Sequence, residues 1–473
     1  MSLKSIICIS VFLLQFLGFT QRKDAERYSL AQCVDIALKN NLDLKSSVLN
    51  ASTAKINHRQ ATANILPSLN GNYNIGVNNG RSIDPFTNDF INQELTFSNA
   101  RLNLDATIFN GFRLLNTVKQ QRLNRQASEM EIEEAKQTLI LNVTLAYLQV
   151  LNRTDILALA KARLVATNKQ LKQQEDLYSE ESGNPADYAD IKGQKTIDKT
   201  NILAAESDLN SAKLSLTRLM NIRENIDADK TSILLDFEKY ELSSEDVFND
   251  AMKNLATFKA KELRAKAAAK GIKVARAQYI PEISFFGQLN TNYSSVAETF
   301  TEIGSSIVET GDFVTVNNEE ISVFTEQSQF RGDKIEYLDQ FDNNLNTVVG
   351  IAVDIPLFNS FRAKNNVALE KIKAEESLIE LERTSLEVKN AIAQVHFDMR
   401  AAFNRYESLQ NQVTAFEESY RVNEIRFNNG VSNFIAYITS KNNLDNARTN
   451  LTNAKYEYLL RVKILEFYRG NTL

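Results

Sequence analysis

The sequence predicts a mostly α protein with a transmembrane β part, built as two structural repeats, each with a long α-helical hairpin and two β-strands. Three observations carry this expectation. Several stretches of about 11 residues alternate apolar and polar side chains, the length of a tilted strand crossing a bilayer. Two runs, Phe112 to Ser182 and Leu357 to Asn429, contain neither glycine nor proline. Both features occur twice and in the same order, the signature of an internal repeat.

The repeat is explicit in the residues. Ser29 and Ser243 each read as a helix N-cap followed by a side chain able to reach back, Gln32 and Asp246. At a constant offset of 214, Ala37 recurs as Ala251, Asn40 as Asn254, Ala61 as Ala275 and Pro67 as Pro281. Further on, "IFNGFRLLN" recurs as "LFNSFRAKN" at an offset of 249, with Phe109, Gly111 and Phe112 matched by Phe358, Ser360 and Phe361. The 35-residue difference predicts an insertion between proline and corner, at Thr299 to Gln340. That segment is acidic and polar with short β-like runs, and is expected to be a long external loop.

Four stretches between the prolines and the corners alternate with period two, which puts one residue class on each face of a strand. In "SLNGNYNIGVN", Leu69, Tyr73, Ile75 and Val77 oppose Ser68, Asn70, Asn72 and Asn74. In "NARLNLDATIF", Leu102, Leu104, Ala106 and Ile108 oppose Asn99, Arg101, Asn103 and Asp105. "ISFFGQLNTNY" alternates less cleanly around Phe286, and "TVVGIAVDIPL" sets Val349, Ile351, Val353 and Ile355 against Gly350, Ala352 and Asp354. The strand pairs therefore fall at about 68–109 and about 283–357. Aromatic residues near the strand ends suit a membrane-water boundary, where Phe109 and Phe358 are expected at a common level.

After each corner comes a helix of about 70 residues, near 100 Å at about 1.5 Å per residue. A glycine-containing break, around Gly183 or Gly430, then leads to a returning helix, so each half forms an antiparallel helical hairpin. The first repeat takes in residues 22–242, its hairpin ending near 222, and the second 243–473.

Composition narrows the function. A formal charge of -5 and the lack of a Lys/Arg block exclude a nucleic-acid partner. The N-terminal residues 1–21 carry Lys4 and then an apolar run from Ile6 to Phe19, which fits a cleaved secretory signal peptide. Only Cys33 then remains, so no disulfide can form within one chain. No later stretch approaches a helical membrane span, so any membrane role falls to strands. His58 and His396 stand apart without other strong ligands, and no phosphate loop, nucleophile turn or zinc pattern is present. No enzyme activity, metal or cofactor is expected.

Four amphipathic strands cannot close a barrel, and open strand edges in lipid are prohibitively costly, so several chains must contribute to one barrel. Two would give eight strands and three twelve. Order, spacing and duplication together resemble the TolC family of outer-membrane efflux proteins over nearly all of residues 29–470. The resemblance implies a homotrimer whose strands form one 12-stranded β-barrel, set in outer-membrane lipid and continued by an α-helical periplasmic tunnel. It also implies a passive exit duct that docks a periplasmic membrane fusion protein and an inner-membrane RND or ABC transporter at the hairpin tips. The second tip, "RFNNGVS", fits the family's Arg-Phe-x-x-Gly pattern at Arg426, Phe427 and Gly430, with Val431 following. The first, with Tyr178 and Gly183, departs from it, carrying two additional residues and Pro185. Aspartates that narrow the pore mouth in the family have no match at Ala436 and Thr439, whereas Asp187 and Asp190 lie nearby in the first repeat, three apart on one helix face. A periplasmic coiled-coil adaptor with a soluble strand domain is the alternative reading.

Overall fold

The computed structural model describes residues 26–83, 88–92, 94–180, 183–223, 226–230, 237–317 and 319–471. The expected signal peptide, 1–21, lies outside the described residues. The described residues divide into two compact units, one drawn from 26–55, 123–265 and 375–471 and the other from 56–122 and 266–374.

The first unit is helical. A short β1 (Glu26–Tyr28) leads into α1 (Leu30–Asn40) and α2, which starts at Leu42 and runs to Ala63. Ser29 caps α1 with a full capping box: its hydroxyl accepts from the Gln32 amide, and the Gln32 side chain accepts from the Ser29 amide. The chain then breaks at Asn41, where a single entry helix would otherwise continue. The Asn41 carboxamide oxygen accepts from the amides of Asp43 and Leu44, giving α2 its own cap.

The second repeat copies this plan. α5 (Ser244–Asn254) starts from a capping box between Ser243 and Asp246, and α6 (Ala256–Arg276) follows after a break at Leu255. Ala37 and Ala251, matched at the 214 offset, are both fully buried.

The two hairpins obey the 249 offset closely. α3 (Arg113–Ser179) and α8 (Arg362–Asn428) each have 67 residues, and their return helices are α4 (Pro185–Met220) and α9 (Phe434–Tyr468). Their buried faces make two cores. One joins Cys33, Val143, Tyr147, Leu151, Leu216 and Met220; the other joins Val247, Phe258, Ile392, Met399, Tyr458 and Leu465. Burial pushes the Cys33 thiol up to about 11, so Cys33 is an inert core residue.

An equivalent contact pins the start of each repeat to its long helix. Near the first, β1 pairs in parallel with β6 (Ile226–Ala228), and the Tyr147 hydroxyl, 2.8 Å from each acceptor, lies against the carbonyls of Tyr28 and Asp229. At the matching positions of the second repeat, His396 Nε2 lies 3.1 Å from the Leu242 carbonyl. His396 is thus a structural donor, the counterpart of Tyr147, and the isolated histidine of the sequence has found its role.

The second unit is the β part. An antiparallel sheet of order β10-β7-β5-β2 is built from β2 (Ser68–Asn78), β5 (Leu95–Phe109), β7 (Glu282–Ser294) and β10 (Asn346–Asp354). Two short strands, β3 (Arg81–Ile83) and β4 (Phe90–Asn92), pair between β2 and β5. β10 stops before the expected end near 357, because Pro356 has no N–H to give the ladder and restricts the residue before it. Phe109 therefore ends a strand, while Phe358 lies beyond one.

The insertion is more ordered than a loop. β8 (Glu298–Val316) and β9 (Glu319–Lys334) form a long two-stranded ribbon, followed by α7 (Tyr337–Asn343). Bulges at Glu302/Gly304 and Glu309/Phe313 break its alternation, which is why only short β-like runs are visible in the sequence. Gln340 fastens α7 to β7 by exchanging hydrogen bonds with the Ser294 backbone, at 2.9 and 3.0 Å.

Replacing His396 by alanine should cost about 1 kcal/mol of stability through the lost hydrogen bond, and His396→Gln should recover part of it. Thermal unfolding followed by circular dichroism measures both.

Candidate functional site

The register of the sheet sorts its side chains into two faces. Leu69, Leu104, Gly287 and Val349 form one cross-strand row, and Ala106, Phe285 and Ile351 another. The opposite face carries amides on β2, β5 and β7, Asn70, Asn103 and Gln288 in one row, which Val348 of β10 completes, and Asn74, Asn99 and Asn292 in another. Phe286, which blurs the alternation of β7, also lies on this polar face, packed over Gly350, where an added Cβ would meet its ring at 2.6 Å. Leu69, Ile75, Val77, Val349, Ile351 and Val353 are exposed in the single chain, an apolar surface that water does not favour. The sheet is open, with β2 and β10 as its unpaired edges.

Both corners have the same unusual backbone. Gly111 and Phe112 have φ of 63° and 62°, and Ser360 and Phe361 have 54° and 58°. Two consecutive left-handed residues reverse the chain, and the preceding asparagine caps the helix that follows. Asn110 accepts from Leu114 N at 3.3 Å and Asn359 from Ala363 N at 3.5 Å. The paired rings meet edge to face, Phe109 with Phe112 at 5.4 Å and Phe358 with Phe361 at 5.7 Å. Phe112, Phe358 and Phe361 remain exposed. At Gly111 an added Cβ would also lie 2.8 Å from Ile280 Cβ, so that position excludes any side chain.

At the tips the two breaks prove equal in length. Each spans the residues between a helix ending at Ser179 or Asn428 and one starting at Pro185 or Phe434. The first tip therefore has no inserted residues; its glycine stands two positions later. Gly430, with φ of 71°, closes α8 in a Schellman turn: its own amide donates to Phe427 O at 3.0 Å and the Val431 amide to Arg426 O at 2.8 Å. Gly183 instead donates to Leu177 O at 2.9 Å, and a Cβ there would strike Tyr178 N. Asn184 and Asn433, matched at the 249 offset, cap the two return helices.

The tips pack on one another. Ile191 of the first hairpin joins Phe434 and Tyr437 of the second in a buried cluster with Phe427 and Tyr420 at its margin, and Phe427 stacks on Tyr437 at 5.0 Å. Tyr178 stacks on Tyr188 at 5.2 Å, and Arg426 and Val431 stand exposed. Asp187 and Asp190 share the first turns of α4 without touching an opposite charge among the described residues. Partial burial, and then the Asp190 carboxylate, push the Asp187 pKa up.

Deeper between the hairpins, Arg163 Nε lies 2.9 Å from Asp198 and 3.3 Å from Asp445, whose carboxylate also pairs with Lys441 at 2.9 Å. Two cations balance two anions, with Gln194 donating to Asp198. The pairs Lys441/Asp445 and Gln194/Asp198 sit at i,i+4, but their meeting at Arg163, and that of Ile191 with Phe434 and Tyr437, is not visible in the sequence, because it joins residues of distant helices. Among the described residues there is no group of His, Cys, Asp and Glu that could hold a metal. Nor is any described helix long and apolar enough to cross a membrane.

The outer membrane efflux protein family model matches residues 33–221 and 247–471. The chain belongs to that family. It is 21% identical over 451 residues to outer membrane protein TolC of Escherichia coli strain K12, covering 94% of this chain and 82% of that one. Toxin and drug export protein A of Aggregatibacter actinomycetemcomitans is 20% identical over 445 residues, with 92% and 84% covered. The outer membrane protein VceC of Vibrio cholerae has the same fold, with a TM-score of 0.71 at 16% identity over 93% of this chain and 96% of that one. Members of the family are outer-membrane transport channels and not enzymes.

Gly111→Ala should lower stability by about 1–3 kcal/mol, from backbone strain and the clash with Ile280, whereas Ser360→Gly should raise it by up to about 1 kcal/mol. Unfolding midpoints of the two variants should thus move in opposite directions.

Proposed function

We propose that the protein is the passive outer-membrane exit duct of a tripartite efflux or type I secretion system, exported by cleavage of residues 1–21 and assembled as a homotrimer. The observation that carries this reading is the open four-stranded sheet, apolar on one face, amide-lined on the other, and unpaired along β2 and β10. β10 of one copy would pair with β2 of the next. Three copies would close twelve strands, with the apolar rows toward lipid and the amides toward a water-filled lumen. The long hairpins would form the periplasmic tunnel. The β8–β9 ribbon, between two barrel strands on the side opposite the helical corners, would stand at the external mouth.

Docking is assigned to the hairpin tips, at Tyr178, Gly183, Arg426, Phe427, Gly430 and Val431, where Tyr178, Arg426 and Val431 offer exposed aromatic, basic and apolar groups and Phe427 is half-buried. A periplasmic membrane fusion protein, together with an inner-membrane RND or ABC transporter, would engage them. The names of two relatives, an export protein for toxins and drugs and TolC itself, support this class of duct. Asp187 and Asp190 would supply an acidic ring at the periplasmic mouth, six carboxylates in a trimer.

On this reading Ile351→Arg faces lipid and should cost about 2–4 kcal/mol, sharply reducing membrane-integrated protein, while Asn103→Arg on the lumenal face should be tolerated. Equal tolerance of both, or full release of the protein by carbonate, would contradict the barrel. Replacing Asp187 and Asp190 by asparagine together should reduce the cation preference of single channels in planar bilayers; an unchanged preference would remove the acidic ring.

A further inference from the structure

Arg101 occupies a singular place in the β wall. It lies on the amide face of β5, and its cross-strand neighbours are Asn72 on β2 and Asn290 on β7. Along its own strand, Asn99 and Asn103 flank it on the same face. The diagonal positions are Asn70, Asn74, Gln288 and Asn292, so every neighbour on this face is an uncharged amide. Its Nε donates to Asn290 Oδ1 at 2.9 Å, and the side chain is exposed.

No carboxylate among the described residues compensates this charge within ion-pair distance. The nearest along the strand is Asp105, four residues away, or about 14 Å at about 3.4 Å per residue. That exceeds the screening length of about 8 Å at physiological salt. At the corner end of the sheet the charges are otherwise arranged: Glu282 is paired with Arg113 at 3.0 Å. The β8–β9 ribbon carries eight acidic residues against two basic ones, but it is a separate two-stranded sheet.

We infer that Arg101 forms a cationic ring in the lumen that favours anionic permeants at the level of the β wall. This rests on the barrel reading above, which turns one exposed guanidinium per chain into three around a common lumen. Amides hold the ring in place without neutralising it, because a carboxamide oxygen accepts the Nε–H but brings no net charge. A permeant passing a ring of like charges is selected by sign, as in other pores lined by charged side chains. The chemical class favoured is a solute carrying carboxylate, phosphate or sulfate groups. The ring also opposes the acidic pair proposed for the periplasmic mouth, so the two ends of the duct would select in opposite senses.

The test is the reversal potential of the purified full-length protein in planar bilayers under a potassium chloride gradient, with Arg101→Gln, Arg101→Lys and Arg101→Glu beside the parent. The expected result is an anion-to-cation permeability ratio about threefold lower for R101Q, the order set by unit charges a few Å from the path in water. R101K should keep the parental ratio, which separates charge from the Asn290 hydrogen bond, and R101E should fall below R101Q. Conducting R101Q and R101E channels with the parental ratio overturn the inference while leaving the duct intact. Should R101Q fail to assemble, the comparison of R101K with R101E decides in the same way. Absence of conduction in the parent and all variants overturns the duct reading itself, and the ring with it.

Discussion

Every backbone N–H and C=O that enters hydrocarbon must find a partner, and the sheet of this protein leaves two edges without one. That constraint organises the molecule. β5 and β7 are paired on both sides within the chain, while β2 and β10 are each paired on one. A lone four-stranded sheet with an apolar face in lipid would leave hydrogen-bonding groups unmet at several kcal/mol each, and the proposed joining of β10 to β2 of another copy would supply them. On that proposal the exposed apolar rows, costly in water, would become the favourable outer wall once those edges are joined.

The corners carry a constraint of their own. Each strand pair must hand the chain to a 67-residue helix, and both repeats do so by two left-handed residues behind an asparagine cap. One copy uses glycine where Ile280 leaves no room, and the other tolerates a serine at φ of 54°. The strain at Ser360 and Phe361 persists because the helix that starts there is anchored elsewhere, by its buried face against α5, α6 and α9. Duplication thus conserves a backbone path more strictly than it conserves residue type, as the exchange of Tyr147 for His396 also shows.

Much of this was legible in the sequence. The offsets of 214 and 249, the capping serines, the strand alternation and the glycine-free runs are local patterns, and local patterns survive without coordinates. The interruptions at Asn41 and Leu255 were not legible, since neither residue is a glycine or proline and the break is fixed by tertiary contacts such as Asn41 Nδ2 with the Leu219 carbonyl. The ribbon was hidden by its bulges and by the charge density that makes such a segment read as loop. At the tips, the glycines stand out in the sequence, but the contacts that join Ile191 to Phe434 and Tyr437, and Arg163 to Asp198 and Asp445, do not, because they are made between helices far apart in the chain. The two tip turns looked unequal when aligned on their glycines and are equal when aligned on their helices.

The central claim is that β2 and β10 are edges only in the isolated chain. Hydrogen exchange of the membrane-extracted protein, resolved to single amides, tests it most directly. The account predicts that amides of β2 and β10 facing away from β5 and β7 are protected as strongly as those of the two inner strands. Rapid exchange at alternate residues of β2 and β10, with β5 and β7 protected, would show that the sheet ends where the chain ends and would contradict it.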